Sequence, residues 1–449
     1  MKKIFLVISL LLVSCENQNP FSKNFSINEI KDSVIYEVNV RQYSESGTFK
    51  DFTKDIPKLK DLGVKIIWLM PIHPISETKR KGTLGSYYSI SNYRETNPEF
   101  GNKEDFDKLI TEAHKNEMYV ILDWVANHTG WDHHWIKTNP EFYTKNSSGE
   151  IIDPINPSTG ESWGWTDVAD LNFDNMEMQE EMIQAMEYWV KEHNIDGFRL
   201  DAAHSCPASF WKKSIDRLNE TKKVLMLAES DGYHTGGFEL IELFDMSYNW
   251  SGHHVLNRIF KKENNSKDLK ENIVRNINDY SSEHILMNFT SNHDENTWAG
   301  TVFDRYGNGA KTFAALTYFL PGIPLIYNGQ EYGLDKRLAF FEKDFIPKKE
   351  SDFFDFYKKL NKLKKENNLL NIDPKIKFEV IETNSNNLVC FKRSIGEESI
   401  YFIANLSETK QEVQTGVKKK LRSLNQKGEV SLENNVLEPW EFHFLKGIY

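Results

Sequence analysis

Eight short runs of β-branched and aliphatic residues recur along the chain, at 34–38, 64–70, 119–123, 196–200, 224–228, 243–246, 285–289 and 323–327. Runs of this length and composition predict strands. Between most of them the apolar positions change to helical spacing, as over 105–116, 178–193 and 309–320. Strand followed by helix, eight times over, predicts an α/β fold of the (β/α)8 TIM-barrel type, expected over 28–370. Two stretches break the rhythm. Residues 129–177, after the third strand, are rich in Trp, Asn, Asp, Gly and Pro, and predict a loop-domain inserted above the barrel. After residue 370 short alternating runs at 378–381, 388–392, 399–404 and 440–445 predict an antiparallel β-sandwich over 371–449.

The N-terminus reads as a targeting segment. Lys2 and Lys3 precede an apolar run over 4–13 that is too short to span a bilayer. Leu12-Val13-Ser14-Cys15 resembles a bacterial lipobox, in which a small residue precedes a Cys that is lipidated. That resemblance implies a signal peptide over 1–14, lipidation at Cys15, a polar tether over 15–27 and a lipid anchor in the cell envelope. A plain secretory signal is the alternative, and the periplasmic and surface faces are not distinguished. Lipidation leaves Cys206 and Cys390, far apart in sequence, so no disulfide is expected. The formal charge of −11, with no basic stripe in the folded part, argues against a nucleic-acid partner. An aromatic fraction of 13% suits rings that stack on sugars, and equally a large core.

Barrel enzymes carry their chemistry at the C-terminal ends of the strands. The third run ends in Asp123-Trp-Val-Ala-Asn127-His128, and the fourth in Gly197-Phe-Arg199-Leu-Asp201-Ala202. The fifth ends in Leu227-Ala-Glu229-Ser230, and the seventh in Phe289-Thr-Ser-Asn-His293-Asp294. One carboxylate at a strand end is ordinary, because charged residues often open loops. Four strands delivering Asp, Arg, Glu and His to one rim are hard to place in a purely structural role.

These four segments resemble, in order and spacing, the signature regions of the α-amylase superfamily, glycoside hydrolase family 13. Gly85-Ser-Tyr87-Tyr88-Ser-Ile-Ser-Asn-Tyr93, Val168-Ala-Asp170-Leu-Asn172 and Pro321-Gly-Ile-Pro-Leu-Ile-Tyr-Asn-Gly-Gln-Glu331 resemble further segments of that family. The resemblance covers roughly residues 30–345. It implies a retaining hydrolase of α-1,4-glucosidic bonds in starch-type glucans or maltooligosaccharides, with no organic cofactor.

The resemblance assigns Asp201 as nucleophile, Glu229 as general acid/base and Asp294 as the third carboxylate. A retaining enzyme needs the first two about 5 Å apart. Arg199, two positions from Asp201 on a strand, shares its face and is expected to lower its pKa. Burial and the charge of Asp201 are expected to raise that of Glu229. His128 and His293 match sugar-hydroxyl donors. Tyr88 matches the aromatic that stacks on the sugar, with Tyr87 as its neighbouring alternative. Asp123 is expected to support Arg199. Trp163 and Trp165 are either sugar platforms or the core of the insert, and Phe340-Phe341-Glu342 is expected near the cleft.

Relatives bind calcium between barrel and insert through oxygen ligands, and Asn127 and Asp170 match two ligand positions. The alternative is a metal-free hydrogen-bonded junction. His204-Ser205 stands where typical α-amylases carry Lys-His, which puts strict endo action in doubt. Ala202 stands where α-1,6-specific relatives tend to have Val, which favours α-1,4 bonds. Maltodextrinase or cyclomaltodextrinase, α-glucosidase and glucanotransferase activities share the same triad. A non-catalytic glycan-binding lipoprotein and a metal-dependent barrel enzyme are the readings from other classes.

Overall fold

The structure is a computed structural model that describes residues 25–156, 159–419 and 421–447. The expected signal peptide over 1–14 and the expected lipidation site, Cys15, lie outside the described residues. Eight parallel strands close a barrel in the order β1-β10-β9-β8-β7-β6-β3-β2. They are β1 (Ile35–Val38), β2 (Ile66–Leu69), β3 (Tyr119–Trp124), β6 (Gly197–Leu200), β7 (Leu225–Ala228), β8 (Met246–Tyr248), β9 (Ile285–Asn288) and β10 (Ile323–Tyr327). The insert contributes β4 (His128–Gly130) and β5 (Val168–Asp170), which pair antiparallel with His128 opposite Asp170.

The barrel strands are buried along almost their whole length, which is why their sequences read as continuous apolar runs. Helices wrap the outside, among them Phe49–Leu62, Lys103–Lys115, Met176–His193, Ala208–Thr221, Ser266–Asp279, Ala310–Phe319 and Asp352–Glu366. Asn102 starts the second of these by accepting the Asp105 N–H, and Asn175 starts the third in the same way.

Seven of the eight expected strands overlap their runs closely. The sixth is displaced from 243–246 to Met246–Tyr248. Leu243 and Phe244 instead continue the turn that follows helix Gly237–Ile241, donating to the carbonyls of Leu240 and Ile241. Phe244 is buried from that turn, so its apolar character marks packing and not a strand. The tether expected over 15–27 also ends early. Phe25 is buried, stands edge-on to Tyr119 and donates its N–H to the Lys223 carbonyl.

The C-terminal part holds two antiparallel sheets. Strands β11 (Lys377–Ile381), β12 (Leu388–Ile395), β13 (Glu398–Asn405), β15 (Leu421–Ser423), β16 (Glu429–Val430) and β18 (Phe442–Gly447) form the larger. Strands β14 (Gln411–Gln414) and β17 (Glu433–Leu437) form the smaller. Cys390, Leu388, Val413, Leu437 and Leu445 share the core between them. Rings join this part to the barrel: Trp440 meets Phe260 and Phe313, and Phe402 meets Phe319. Cys206 and Cys390 are both free and buried.

Gly197 opens β6 where neighbouring backbones nearly touch. A Cβ there would drive into the carbonyl of Leu225 on the adjacent strand. Gly197→Ala is therefore expected to cost about 2–3 kcal/mol through overpacking against rigid backbone. An unchanged urea midpoint would show that the strands can separate.

Candidate active site

Strand register sets the floor of the site. Asp123 on β3 pairs with Arg199 on β6, which pairs with Leu227 on β7. Asp201 and Glu229 follow directly at the ends of β6 and β7, and His293 and Asp294 follow β9. Arg199 is fully buried at the centre. Its Nη1 donates to Asp123 Oδ1 at 2.8 Å and to Asp201 Oδ1 at 2.9 Å. Its Nε donates to the Tyr248 hydroxyl at 3.1 Å. Its Nη2 lies 2.8 Å from Glu229 Oε2, though off the hydrogen-bonding direction. The Trp68 ring sits 5.0 Å from the guanidinium carbon, and its Nε1 donates to Asp123 Oδ2 at 3.2 Å. One cation thus grips carboxylates from three strands.

Ala202, just after Asp201, is left-handed (φ 41°, ψ 47°), a conformation uncommon for a residue with a Cβ. Its N–H donates to Glu229 Oε2 at 2.9 Å. Both close contacts of Glu229 fall on Oε2, which leaves Oε1 to carry a proton.

A second cluster leans on the first. His293 Nδ1 is 2.6 Å from Glu37 Oε1, and its Nε2 is 2.7 Å from the Tyr88 hydroxyl and 3.3 Å from Asp294 Oδ2. The Tyr88 hydroxyl donates to Asp123 Oδ2 at 3.0 Å, so it accepts from His293. A π-helical turn, Glu295–Ala299, brings Trp298 Nε1 to Asp294 Oδ1 at 3.2 Å.

The electrostatics follow from burial. Burial pushes Asp201 up and Arg199 pulls it back, leaving it at about 6. The expected lowering by Arg199 is therefore present but outweighed by desolvation. Glu229 is raised by burial, with Arg199 opposing and the charges of Asp201 and Asp294 adding. Burial alone would lower His293, but Asp294 and Glu37 raise it to about 9, so it is a cation at neutral pH. Burial lowers His128 to about 4 and keeps it neutral.

Tyr88, His128, Asp201, Glu229, His293 and Asp294 line one cavity of about 650 Å³, with Arg199 beneath them. Tyr87 is instead buried under Arg41. Trp163 and Trp165 also line the cavity. They are 48% and 39% exposed and stacked on each other at 5.9 Å, as platforms would be and a core would not. Phe340, Phe341 and Trp298 line it as well. His204 faces the cavity and stacks on His234 at 5.5 Å.

Glu37, Trp68, Tyr248 and Trp298 escaped the sequence reading. Glu37 alone carried a signal: a carboxylate within the otherwise apolar run of β1. Aromatic residues such as Trp68 and Tyr248 are ordinary in strands, and nothing in the spacing singled out Trp298.

Asn127 and Asp170 sit outside the cleft, at the junction of barrel and insert. The Asn127 carbonyl accepts the Leu171 N–H at 3.1 Å. Burial raises Asp170 to about 6, with a Thr144 hydrogen bond opposing and Asp153 adding. Among the described residues no basic side chain pairs with Asp170, and no group of three or more His, Cys, Asp or Glu side chains could hold a metal. The two side chains offer hard oxygens that fit calcium only if backbone carbonyls complete the shell.

Comparison with known proteins gives a consistent picture. Residues 31–349 match the family model of the α-amylase catalytic domain. The chain is similar to α-amylase 3 of Dictyoglomus thermophilum, 28% identical over 374 residues that cover 74% of this chain and 68% of that protein. It is also similar to the 4-α-glucanotransferase of Thermotoga neapolitana, 28% identical over 333 residues that cover 67% of this chain and 72% of that protein. Its structure is similar to the crystal structure of an α-amylase from Lactobacillus plantarum, with a TM-score of 0.83 and 28% identity, covering 94% of this chain and 100% of that one.

The contact between Glu37 and His293 generates a prediction. In Glu37→Gln the imidazole loses a buried negative neighbour, so its pKa should fall from about 9 by about one unit or more. NMR titration of the His293 ring reads this directly. An unmoved titration would mean that Asp294 alone sets it.

Proposed function

Because the chain belongs to the α-amylase family of glycoside hydrolases, we propose that it hydrolyses α-1,4-glucosidic bonds in starch-type glucans or maltooligosaccharides, with retention at the anomeric carbon. The observation that carries the reading is the shared guanidinium. Asp201 and Glu229 lie against the two Nη atoms of Arg199, which supports the short separation of about 5 Å that retention requires.

In this reading Glu229 protonates the glycosidic oxygen from Oε1, and Asp201 attacks the anomeric carbon. The covalent glycosyl-enzyme is then hydrolysed as Glu229 takes a proton from water. Among the described residues, four carboxylates other than Glu229 (Glu37, Asp123, Asp201 and Asp294) cluster about two buried cations, Arg199 and His293. That excess of negative charge supports a protonated Glu229. Asp294, steadied by Trp298, and the cationic His293 hold sugar hydroxyls and tighten on them as charge develops. Neutral His128 is a further donor, and the Tyr88 ring stacks on the sugar face. The small Ala202 favours α-1,4 over α-1,6 linkages.

A product time course on maltoheptaose and soluble starch tests this, with Asp201→Asn as control. Short maltooligosaccharides should appear, and the variant should lose about 1,000-fold or more in kcat/KM. No turnover by the intact enzyme would sink the α-1,4 reading.

The pH profile follows with a definite sign. Asp201 must be ionised, and its pKa is raised to about 6, so kcat/KM should fall as pH drops through about 6. The alkaline limb is the loss of the proton on Glu229. The two limbs belong to the coupled pair. An acid limb near pH 4 would contradict a desolvated Asp201.

A calcium ion at the junction would be held by Asp170 and the Asn127 side-chain oxygen, with backbone carbonyls, and would offset a buried negative charge. If it binds, chelation should lower Tm, by about 1 °C for each kcal/mol of linked binding in a chain of this length, and Asp170→Asn should remove that response. An identical Tm with and without chelator would eliminate the ion.

A further inference from the structure

We infer that residues 77–84 form a fixed strap that closes the glycone end of the cleft and makes the enzyme trim chains from their non-reducing ends. The inference rests on the α-glucan hydrolase reading above. Direction in the cleft comes from the chemistry. Glu229 protonates the departing oxygen, so the leaving part of the chain runs past it toward His204, His234 and Trp250, which line that side. The part retained on Asp201 runs the other way, past Tyr88 and the Phe340 ring stacked beside it at 6.3 Å and 7°.

A wall stands immediately beyond Phe340. The Leu84 N–H donates to the Phe341 carbonyl at 2.9 Å. The Thr83 N–H donates to Glu342 Oε1 at 3.0 Å, and the Thr83 hydroxyl binds the other oxygen of the same carboxylate. Gly82 lies so close to this loop, at φ +63°, that a Cβ would strike Phe341 and Glu342. From the opposite rim Lys81 reaches the insert, donating to the Gly164 carbonyl at 2.8 Å and pairing with Asp167 at 3.0 Å. The strap therefore bridges the loop after β10 and the insert, across one end of the cavity.

Its ends are also held. The Asp132 carboxylate accepts the N–H groups of Glu77 and Thr78 at 2.6 and 2.8 Å. Buried Arg41 donates to the carbonyls of Leu84 and Gly85 at 3.2 and 3.1 Å. A segment tied at this many points is a wall and not a mobile cover. A glucan threaded through the cleft would have to pass it. A chain end entering from the Glu229 side, past His204 and His234, stops against it. This geometry selects substrates with a free non-reducing terminus and gives products of short, uniform length.

The test compares 4-nitrophenyl maltoheptaoside with the same compound blocked at its non-reducing terminus by an ethylidene group, and with β-cyclodextrin, which has no terminus. The intact enzyme should shorten the unblocked compound from its non-reducing end. The blocked compound and the ring should react about 100-fold or more slowly. Internal cleavage of the blocked compound at a rate comparable to the unblocked one overturns the inference. Turnover of none of the three removes the α-glucan reading itself, and the inference with it. The double variant K81A/E342A removes the side-chain ties to the insert and to the loop after β10, and should raise the blocked-to-unblocked rate ratio about tenfold or more. A folded double variant with an unchanged ratio overturns the strap as the cause.

Discussion

A fully buried guanidinium is a liability that this molecule turns into its organising centre. Removing a charge from water costs several kcal/mol unless partners replace the lost hydration. Arg199 finds them in Asp123, Asp201 and Glu229, from three different strands, and in the hydroxyl of Tyr248. The carboxylates have the same need in reverse, since without the cation they would repel one another across the barrel mouth. Neither set is tenable alone, and together they hold the strand ends in register. The left-handed twist at Ala202 belongs to the same arrangement. It is backbone strain at the position that lets one N–H reach Glu229.

The parts of this arrangement that sit within a few residues of a strand end were legible in the sequence. Arg199 and Asp201 announce each other by their spacing, and His293 stands next to Asp294. The eight strands were legible because strands buried on both faces leave continuous apolar runs. Where an apolar pair packs from a turn, as Leu243 and Phe244 do, the same signal points to the wrong residues. Contacts between distant segments leave no local trace. Glu37 and His293 are 256 positions apart, and Trp68 reaches Asp123 across 55. Net pKa shifts were equally hidden, because spacing reveals a neighbouring cation and says nothing about how completely water is excluded.

The floor and the rim of the cleft answer to different constraints. The floor is built from strand ends, where any change of geometry disturbs the buried charges. The rim is built from loops: the insert with Trp163 and Trp165, the π-helical turn with Trp298, and the segments around residues 80 and 340. These meet through surface hydrogen bonds and ring contacts that tolerate exchange.

The pairing of β1 with β10 has a bearing on how the molecule is made. The ring closes only when residues 325–327 reach residues 35–37, late in synthesis and across most of the barrel's length. Glu37, on β1, and His293, after β9, come together across the same closure. Contacts this far apart in sequence are slow to form, because loop closure must precede any gain from pairing. A nascent chain that has made β3, β6 and β7 already holds Asp123, Arg199, Asp201 and Glu229, and still lacks the closed ring that seats them beside Glu37 and His293.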